Sequence, residues 1–144
     1  MPEAWTQHVL ERMRAESGRS GSARRVVVEL LGRQDCCLSA QEIHDRVRSE
    51  GARVGIASVY RALESLDELG LVQRVDLGDG ASRFERVDPR GDHHHHLVCG
   101  DCGKVEPFED TALEQALGRV AGGRGYALAA HDVVLRGACG DCRS

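Results

Sequence analysis

Lysine is all but missing from this chain: Lys104 is the only one, and arginine carries the rest of the positive charge. With a formal net charge of −4 the protein is no general coat for nucleic acid, so any surface that meets a polyanion must be local. The residues after 91 are the more acidic part, which points to the first half for such a surface. Aromatics are scarce at 3%, so a second small domain would have a thin core and would gain from a metal staple. No apolar run approaches the roughly 20 residues that span a bilayer, and no signal-like leader opens the chain. These absences predict a cytoplasmic protein with no membrane partner. In a reducing compartment six cysteines are read as metal ligands or buried thiols before disulfides. A length of 144 residues leaves room for one ordinary domain or two small ones.

What is present is concentrated. His93, His94, His95 and His96 run through Leu97 and Val98 into Cys99 and Cys102, six metal-ligand side chains within ten residues. A second Cys-x-x-Cys closes the sequence at Cys139 and Cys142. Two such knuckles supply the four sulfurs of a tetrahedral structural zinc site. The stretch 103–138 between them exceeds the usual gap of roughly 15–20 residues, so it must fold as a unit that returns its end to its start. The histidines are internal and lead straight into an apolar segment, unlike a purification tag.

Helical spacing of Trp5, Val9 and Met13 predicts an amphipathic helix over 3–16. A Gly/Ser break from Ser17 to Ser22 holds Arg19, and a second helix is expected over 23–32. Ser39 followed by Glu42 reads as a capping box that opens a third helix, with Ile43 and Val47 facing inward. After the connection Gly51–Gly55, Val59, Leu63 and Leu66 mark a fourth helix ending near Gly70. The period then changes to two, with β-like segments over 71–77 and 82–87 joined by Gly78-Asp79-Gly80. Three helices and a two-stranded hairpin are the parts of a winged helix-turn-helix. Residues 1–88 form this expected DNA-binding domain, 89–92 a hinge and 93–144 a second domain. There, strands over 94–99 and 104–108, a helix over 110–121 and a strand over 126–135 give the order β-β-α-β. The expected class is α+β.

Side chains alternate across a strand, so His93 and His95 face one way and His94 and His96 the other. One tetrad can therefore serve two metal sites, each needing ligands from elsewhere. Glu114 on the helix and His131 on the last strand are candidates, as is Glu85 near the wing's end. Taken singly, each has a plainer reading: a solvated helix carboxylate, a partly buried histidine, an exposed strand acid. Cys36 and Cys37, adjacent before the third helix, read by default as buried thiols.

The segments from Ser39 to His44, from Gly55 to Leu63 and from Asp92 to Gly103 resemble the ferric-uptake-regulator (Fur) family of metal-sensing bacterial repressors, and the likeness runs nearly the whole length. It implies a winged helix hinged to an α/β dimerisation domain, a homodimer, and a double-stranded, near-palindromic DNA operator bound when metal is bound. It assigns Cys99, Cys102, Cys139 and Cys142 to structural zinc. It assigns His93, His95, Glu114 and His131 to a second site within the dimerisation domain, and His94, His96 and Glu85 to the sensor site. The remaining sensor ligand, commonly a histidine, falls on Cys37. The histidine tetrad is similar to that of zinc-sensing members, yet this chain lacks their cysteine after the wing and has Gln73 in place of their acid. The regulatory ion is thus expected to be zinc or iron(II), with the soft thiolate favouring zinc. Ser58, Tyr60 and Arg61 on the fourth helix are candidates for base and phosphate contact, and Arg19, Arg24 and Arg25 for backbone or minor-groove contact.

Two readings from other classes compete. A zinc hydrolase or deaminase needs an open coordination position and a general base. The carboxylate and imidazole set here already fills four positions, and neither His-Glu-x-x-His nor His-x-Glu occurs. A zinc-storage or delivery protein needs exchangeable ligands but no helix-turn-helix. The expectation is a regulator, with neither enzyme activity nor a small-molecule substrate.

Overall fold

The computed structural model describes residues 2–17, 21–34, 36–78, 80–87 and 94–143. Arg19, Asp79 of the wing turn, the expected hinge 89–92 and His93 lie outside the described residues. The chain divides into two compact units, Met1–Asp92 and His93–Ser144.

The first unit is built on α1 (Pro2–Ser17), α2 (Ser22–Arg33), α3 (Ala40–Ser49) and α4 (Ile56–Glu68). Trp5, Val9 and Met13 of α1 are buried with Val27, Val28, Leu30 and Leu31 of α2. Ile43 and Val47 of α3 and Val59, Ala62, Leu63 and Leu66 of α4 complete one contiguous core. Helix α3 opens as its sequence requires. The Glu42 N–H donates to Ser39 Oγ at 3.1 Å, and the Ser39 N–H donates to Glu42 Oε1 at 3.1 Å, satisfying two otherwise orphaned donors. Helix α4 stops because Gly70 takes φ +70°. The Leu71 N–H then reaches back to the Leu66 carbonyl at 2.9 Å and the Gly70 N–H to that of Asp67 at 3.0 Å, a Schellman end.

Three strands form the wing: β1 (Leu38–Ser39), β2 (Val72–Asp76) and β3 (Ser82–Arg86), in the order β1-β3-β2. The expected two-stranded hairpin is present as β2 and β3, and the two-residue β1 adds a third strand to it. Strand β1 is too short to show a period of two, and it pairs through Leu38↔Phe84 and Ser39↔Arg83. In the β2–β3 register Gln73 lies opposite Glu85.

The second unit contains β4 (His95–Cys99), β5 (Val105–Phe108), α5 (Thr111–Gly123) and β6 (Val134–Gly137). Its sheet runs β5-β4-β6, with β4 antiparallel to β5 and parallel to β6. The class is α+β, and the order β-β-α-β holds, with two shifts. Helix α5 runs through Gly122 and Gly123 and ends where Gly125 adopts φ +81°, since glycine stops a helix only when its backbone turns left-handed. The last strand begins at Val134 rather than at residue 126. Its ladder starts where the His96 N–H donates to the Val133 carbonyl at 3.2 Å, while the Val133 N–H is taken by the His95 ring at 3.3 Å. His131 therefore precedes the strand instead of lying on it.

The units differ sharply in how they are held. Every apolar side chain of the contiguous core belongs to the first. Among described residues of the second, the buried ones are His95, His96 and Cys99, and α5 buries none completely. Leu63→Ala, at a fully buried position, is expected to lower the stability of the first unit by about 2–5 kcal/mol. Urea unfolding followed by helical circular dichroism reads the change; a shift under about 1 kcal/mol contradicts a tightly packed α2–α4 core.

Candidate metal centres and nucleic-acid face

Strand pairing brings the two knuckles together. Cys99 ends β4 opposite Gly137 at the end of β6, and the Gly100 N–H donates to the Gly137 carbonyl at 2.9 Å. The turn after Cys99 closes with a Gly103 N–H donating to the Cys99 carbonyl at 3.0 Å, and the second knuckle with a Cys142 N–H donating to the Cys139 carbonyl at 3.0 Å. The four sulfurs of Cys99, Cys102, Cys139 and Cys142 lie within 4.8 Å of one another. Cys102 Sγ and Cys139 Sγ are 3.8 Å apart. Tetrahedral zinc with Zn–S bonds of roughly 2.3 Å requires sulfurs separated by roughly 3.8 Å, so the donor set fits that ion.

Electrostatics give the same reading. The backbone N–H of Cys102 and then that of Cys139 point at Cys99 Sγ and pull its thiol down to about 6. Hydrogen bonding with Cys139, and then with Cys99 and Cys102, pushes Cys142 up to about 12. One thiolate forms readily here and suppresses ionisation of its neighbours. A bound dication would remove that penalty, because thiolate is the ligating form.

A second cluster gathers His95, Glu114 and His131, whose donor atoms lie within 4.8 Å of one another. Asp110 caps α5 by accepting the Leu113 N–H at 2.9 Å, which fixes the first helical turn and Glu114 with it. Glu114 then spans two rings, Oε1 to His95 Nε2 at 2.5 Å and Oε2 to His131 Nε2 at 2.6 Å. His95 is buried, and its Nδ1 accepts the Val133 N–H, so in this arrangement its ring proton sits on Nε2 and faces the carboxylate. Two imidazoles and a carboxylate are a fitting donor set for zinc, iron(II) or manganese. Loading would require the His95 proton to leave Nε2, coupling uptake to proton movement. His93, the fourth residue expected here, is outside the described residues.

The remaining expected ligands divide between the two units. In the first, Cys36 Sγ lies within 4.8 Å of a Glu85 carboxylate oxygen. Glu85 is buried and accepts from Gln73 Nε2 at 2.6 Å. Cys37, where the sequence put the donor, is buried 3.8 Å from Cys36, sulfur to sulfur. Its hydrogen bond with Cys36 and then its burial hold it well above the ordinary thiol range. The partly exposed thiol grouped with Glu85 is that of Cys36. The resemblance placed the donor on Cys37; the structure buries that thiol and leaves its neighbour partly exposed. In the second unit His94 and His96 stack edge to face, ring centres 5.0 Å apart, as strand alternation predicts.

The proposed DNA-reading residues lie on α4. Tyr60 is 49% exposed, so its ring is not part of the core. Arg61 is exposed and donates through Nη2 to Ser58 Oγ at 3.0 Å, so the two residues form one polar patch across the first two turns of the helix. On α2, Arg25 pairs with Glu29 at 3.1 Å, whereas Arg24 is partly buried.

Residues 16–136 match the Ferric uptake regulator family. The chain is 38% identical over 106 residues to the ferric uptake regulation protein of Bordetella parapertussis, covering 74% of this chain and 75% of that one. The chain belongs to the ferric uptake regulator family. Its fold is similar to that of the Vibrio cholerae ferric uptake regulator (TM-score 0.76, 33% identity, 89% of this chain and 98% of that one). It is also similar to the Helicobacter pylori regulator Fur, described as having three functional metal binding sites (TM-score 0.82, 26% identity, 99% and 93% covered). As a Fur-family member this protein is a metal-responsive, DNA-binding regulator of transcription, a repressor that works as a dimer. No helix among the described residues is long and apolar enough to cross a membrane.

Cys99→Ser or Cys142→Ser is expected to abolish zinc retention and unfold the second unit, since structural zinc contributes roughly 10–16 kcal/mol to small domains at neutral pH. Size-exclusion chromatography with zinc analysis checks this; a dimer with unchanged melting after zinc loss refutes it. Acid should act in the same direction. The Cys99 thiol is depressed from 9.0 to about 6, so its contribution is complete above 9.0 and fades as pH falls through about 6. Bound zinc competes with the proton for the thiolate, so zinc release on acidification, followed with a chromogenic chelator, should begin below that window.

Proposed function

We propose that this protein represses metal-homeostasis genes as a homodimer on a near-palindromic operator, and that zinc is its regulatory ion. The reading rests chiefly on one observation: each unit holds half of a mixed soft donor set. The first supplies Cys36 and Glu85, the second His94 and His96. A thiolate, two imidazoles and a carboxylate make a four-coordinate set that zinc accepts without strain, and the sulfur disfavours manganese and magnesium. When bound, the ion supplies only attraction to these ligands. Recruiting donors from both units favours those arrangements in which both can reach it, and the population shifts by the difference in affinity between arrangements.

The cluster of His95, Glu114 and His131, with His93, is proposed as a second metal site, and Cys99, Cys102, Cys139 and Cys142 as structural zinc. For the homodimer we propose a face on the second unit. Leu97, Val120, Tyr126, Leu128 and Leu135 are the large exposed apolar side chains among its described residues, Tyr126 being 73% exposed. Residues 127–130 are exposed and have no strand partner among the described residues. A two-fold contact that covers this face would give the unit the apolar burial its own core lacks. On α4, Ser58, Tyr60 and Arg61 are proposed to read the major groove, with Arg24, Arg25 and Arg19 meeting the backbone.

Iron(II) is the alternative regulatory ion, since imidazole and carboxylate suit it. Cobalt substitution separates the two readings. A thiolate-to-metal charge-transfer band that disappears in Cys36→Ser, together with tighter operator binding in zinc than in iron(II), is expected. If Cys36→Ser and Cys37→Ser both leave the band and metal-dependent DNA binding unchanged, neither thiol is a ligand and the case for zinc falls.

Tyr60→Ala and Arg61→Ala should weaken operator binding while metal content and dimerisation stay normal. If Arg61 reads a base, its loss should relax discrimination by about 1–3 kcal/mol; if it meets phosphate, the salt dependence of binding should become shallower. Gel shifts over a salt series tell these apart. Unchanged affinity in both variants would mean that α4 is not the reading helix.

A further inference from the structure

Cys36 and Cys37 are more than a single donor. Two adjacent thiols stand just before β1 with their sulfurs 3.8 Å apart, one partly exposed and one buried behind it. Oxidation-sensing cysteines share this layout: an accessible sulfur that meets the oxidant, beside a resolving sulfur. We propose that Cys36 and Cys37 form a peroxide-oxidisable pair whose closure to a vicinal disulfide withdraws the sulfur donor from the sensor set and releases the operator. The link to DNA release rests on the sensor reading given above, in which Cys36 is a ligand.

The chemistry balances with a hydroperoxide as the oxidant. The Cys36 sulfur attacks the terminal peroxide oxygen, the O–O bond breaks, and an alcohol, or water from hydrogen peroxide, leaves with one proton, taken from the Cys36 thiol or, where Cys36 is already the ligating thiolate, from solvent water. Cys36 is then a sulfenic acid. The Cys37 sulfur attacks it, the S–S bond forms, the S–O bond breaks, and the hydroxide departs as water with the Cys37 proton. Two thiols lose two electrons and the peroxide gains them. Neighbouring α-carbons are only about 3.8 Å apart across a trans peptide, short of the usual disulfide range of roughly 4.4–6.8 Å. The product is accordingly strained, and strained disulfides are the readily reduced, regulatory kind. Burial of Cys37 favours this local closure over a bond to another chain, and a disulfide sulfur is a far poorer ligand than a thiolate.

Full-length, zinc-replete dimer is treated with hydrogen peroxide, blocked with iodoacetamide and digested with trypsin. Peptide 34–46, which carries both cysteines, should lose two hydrogens, resist alkylation and regain two alkylatable thiols after dithiothreitol. Cys37→Ser should stop at a dimedone-reactive sulfenic acid on Cys36, and Cys36→Ser should give neither product. Operator binding should fall at least tenfold with closure and return on reduction. Two alkylatable thiols after peroxide, or a disulfide found only between chains, overturns the proposal. A closed disulfide with operator affinity unchanged also overturns it. In that case the cobalt band distinguishes the cause: its survival through oxidation shows that the sensor reading has failed, and its loss shows that the ion is not coupled to DNA binding.

Discussion

Four sulfurs drawn to a common centre are the constraint on which the second unit depends. Its sheet has three short strands, its helix buries no side chain completely, and its few buried residues are polar or sulfur-bearing. Apolar burial contributes roughly 25 cal/mol per Å², so a unit with this little of it cannot offset the entropy of ordering its backbone. The knuckles supply the missing term in a particular way. They tie the end of β4 to the segment after β6, and that tie fixes the parallel register in which His96 faces Val134 and Cys99 faces Gly137. His95 acquires its surroundings from the same register. Its ring receives the Val133 N–H, lies 5.6 Å from Phe108 and reaches Glu114 on the connecting helix. The structural centre thereby orients the residues of the second cluster.

The first unit solves the opposite problem. Its core is fully apolar and continuous through four helices and the wing, so it needs no ion to fold. What it has to do is hold α4 rigidly while leaving one of its faces free of the core. Val59, Ala62, Leu63 and Leu66 occupy the inward stripe, and the i+1 and i+2 positions after Val59 place Tyr60 and Arg61 outward. The Schellman end at Gly70 then turns the chain directly into β2, with Leu71 buried as the closing contact. The proposed reading divides the labour accordingly: one unit carries its own apolar core, and the other is assembled by metal and partner.

Much of this was legible in the sequence because the signals were local. The Ser39–Glu42 capping box, the 3.6-residue stripes and the two Cys-x-x-Cys knuckles each act within a few residues of themselves, and each forms as its spacing requires. Pairing of His94 with His96, and of His95 with Glu114 and His131, followed from strand alternation together with the family resemblance. The readings that shifted depend on distant partners. The strand expected from residue 126 carries alternating apolar residues, but alternation marks a strand only when something pairs with it, and the ladder starts at Val134. The two residues of β1 acquire strand geometry from Phe84 and Arg83, more than forty positions away. Cys36 and Cys37 are chemically identical neighbours, and only tertiary packing decides which one lies inside.

Charge explains why the donors are split as they are. Glu85 is a buried carboxylate, and burial of an acid is costly unless it is paired. Gln73, opposite it in the β2–β3 register, donates a hydrogen bond of 2.6 Å to Glu85 Oε1 and so offsets part of that cost, as do the other groups around the carboxylate. An acid at position 73 would have added repulsion across the same pair and required a cation nearby at all times. In the proposed sensor reading, glutamine there lets the first unit hold Glu85 inside without an ion and gain further when one binds. That difference between a tolerable and a favourable environment is the free energy available for coupling, and coupling energies of about 1–3 kcal/mol suffice for a 5- to 150-fold change in affinity. A sensor needs this modest gap. A donor set that could not fold without its ion would be structural, the role proposed for the four cysteines, and would report nothing about metal supply.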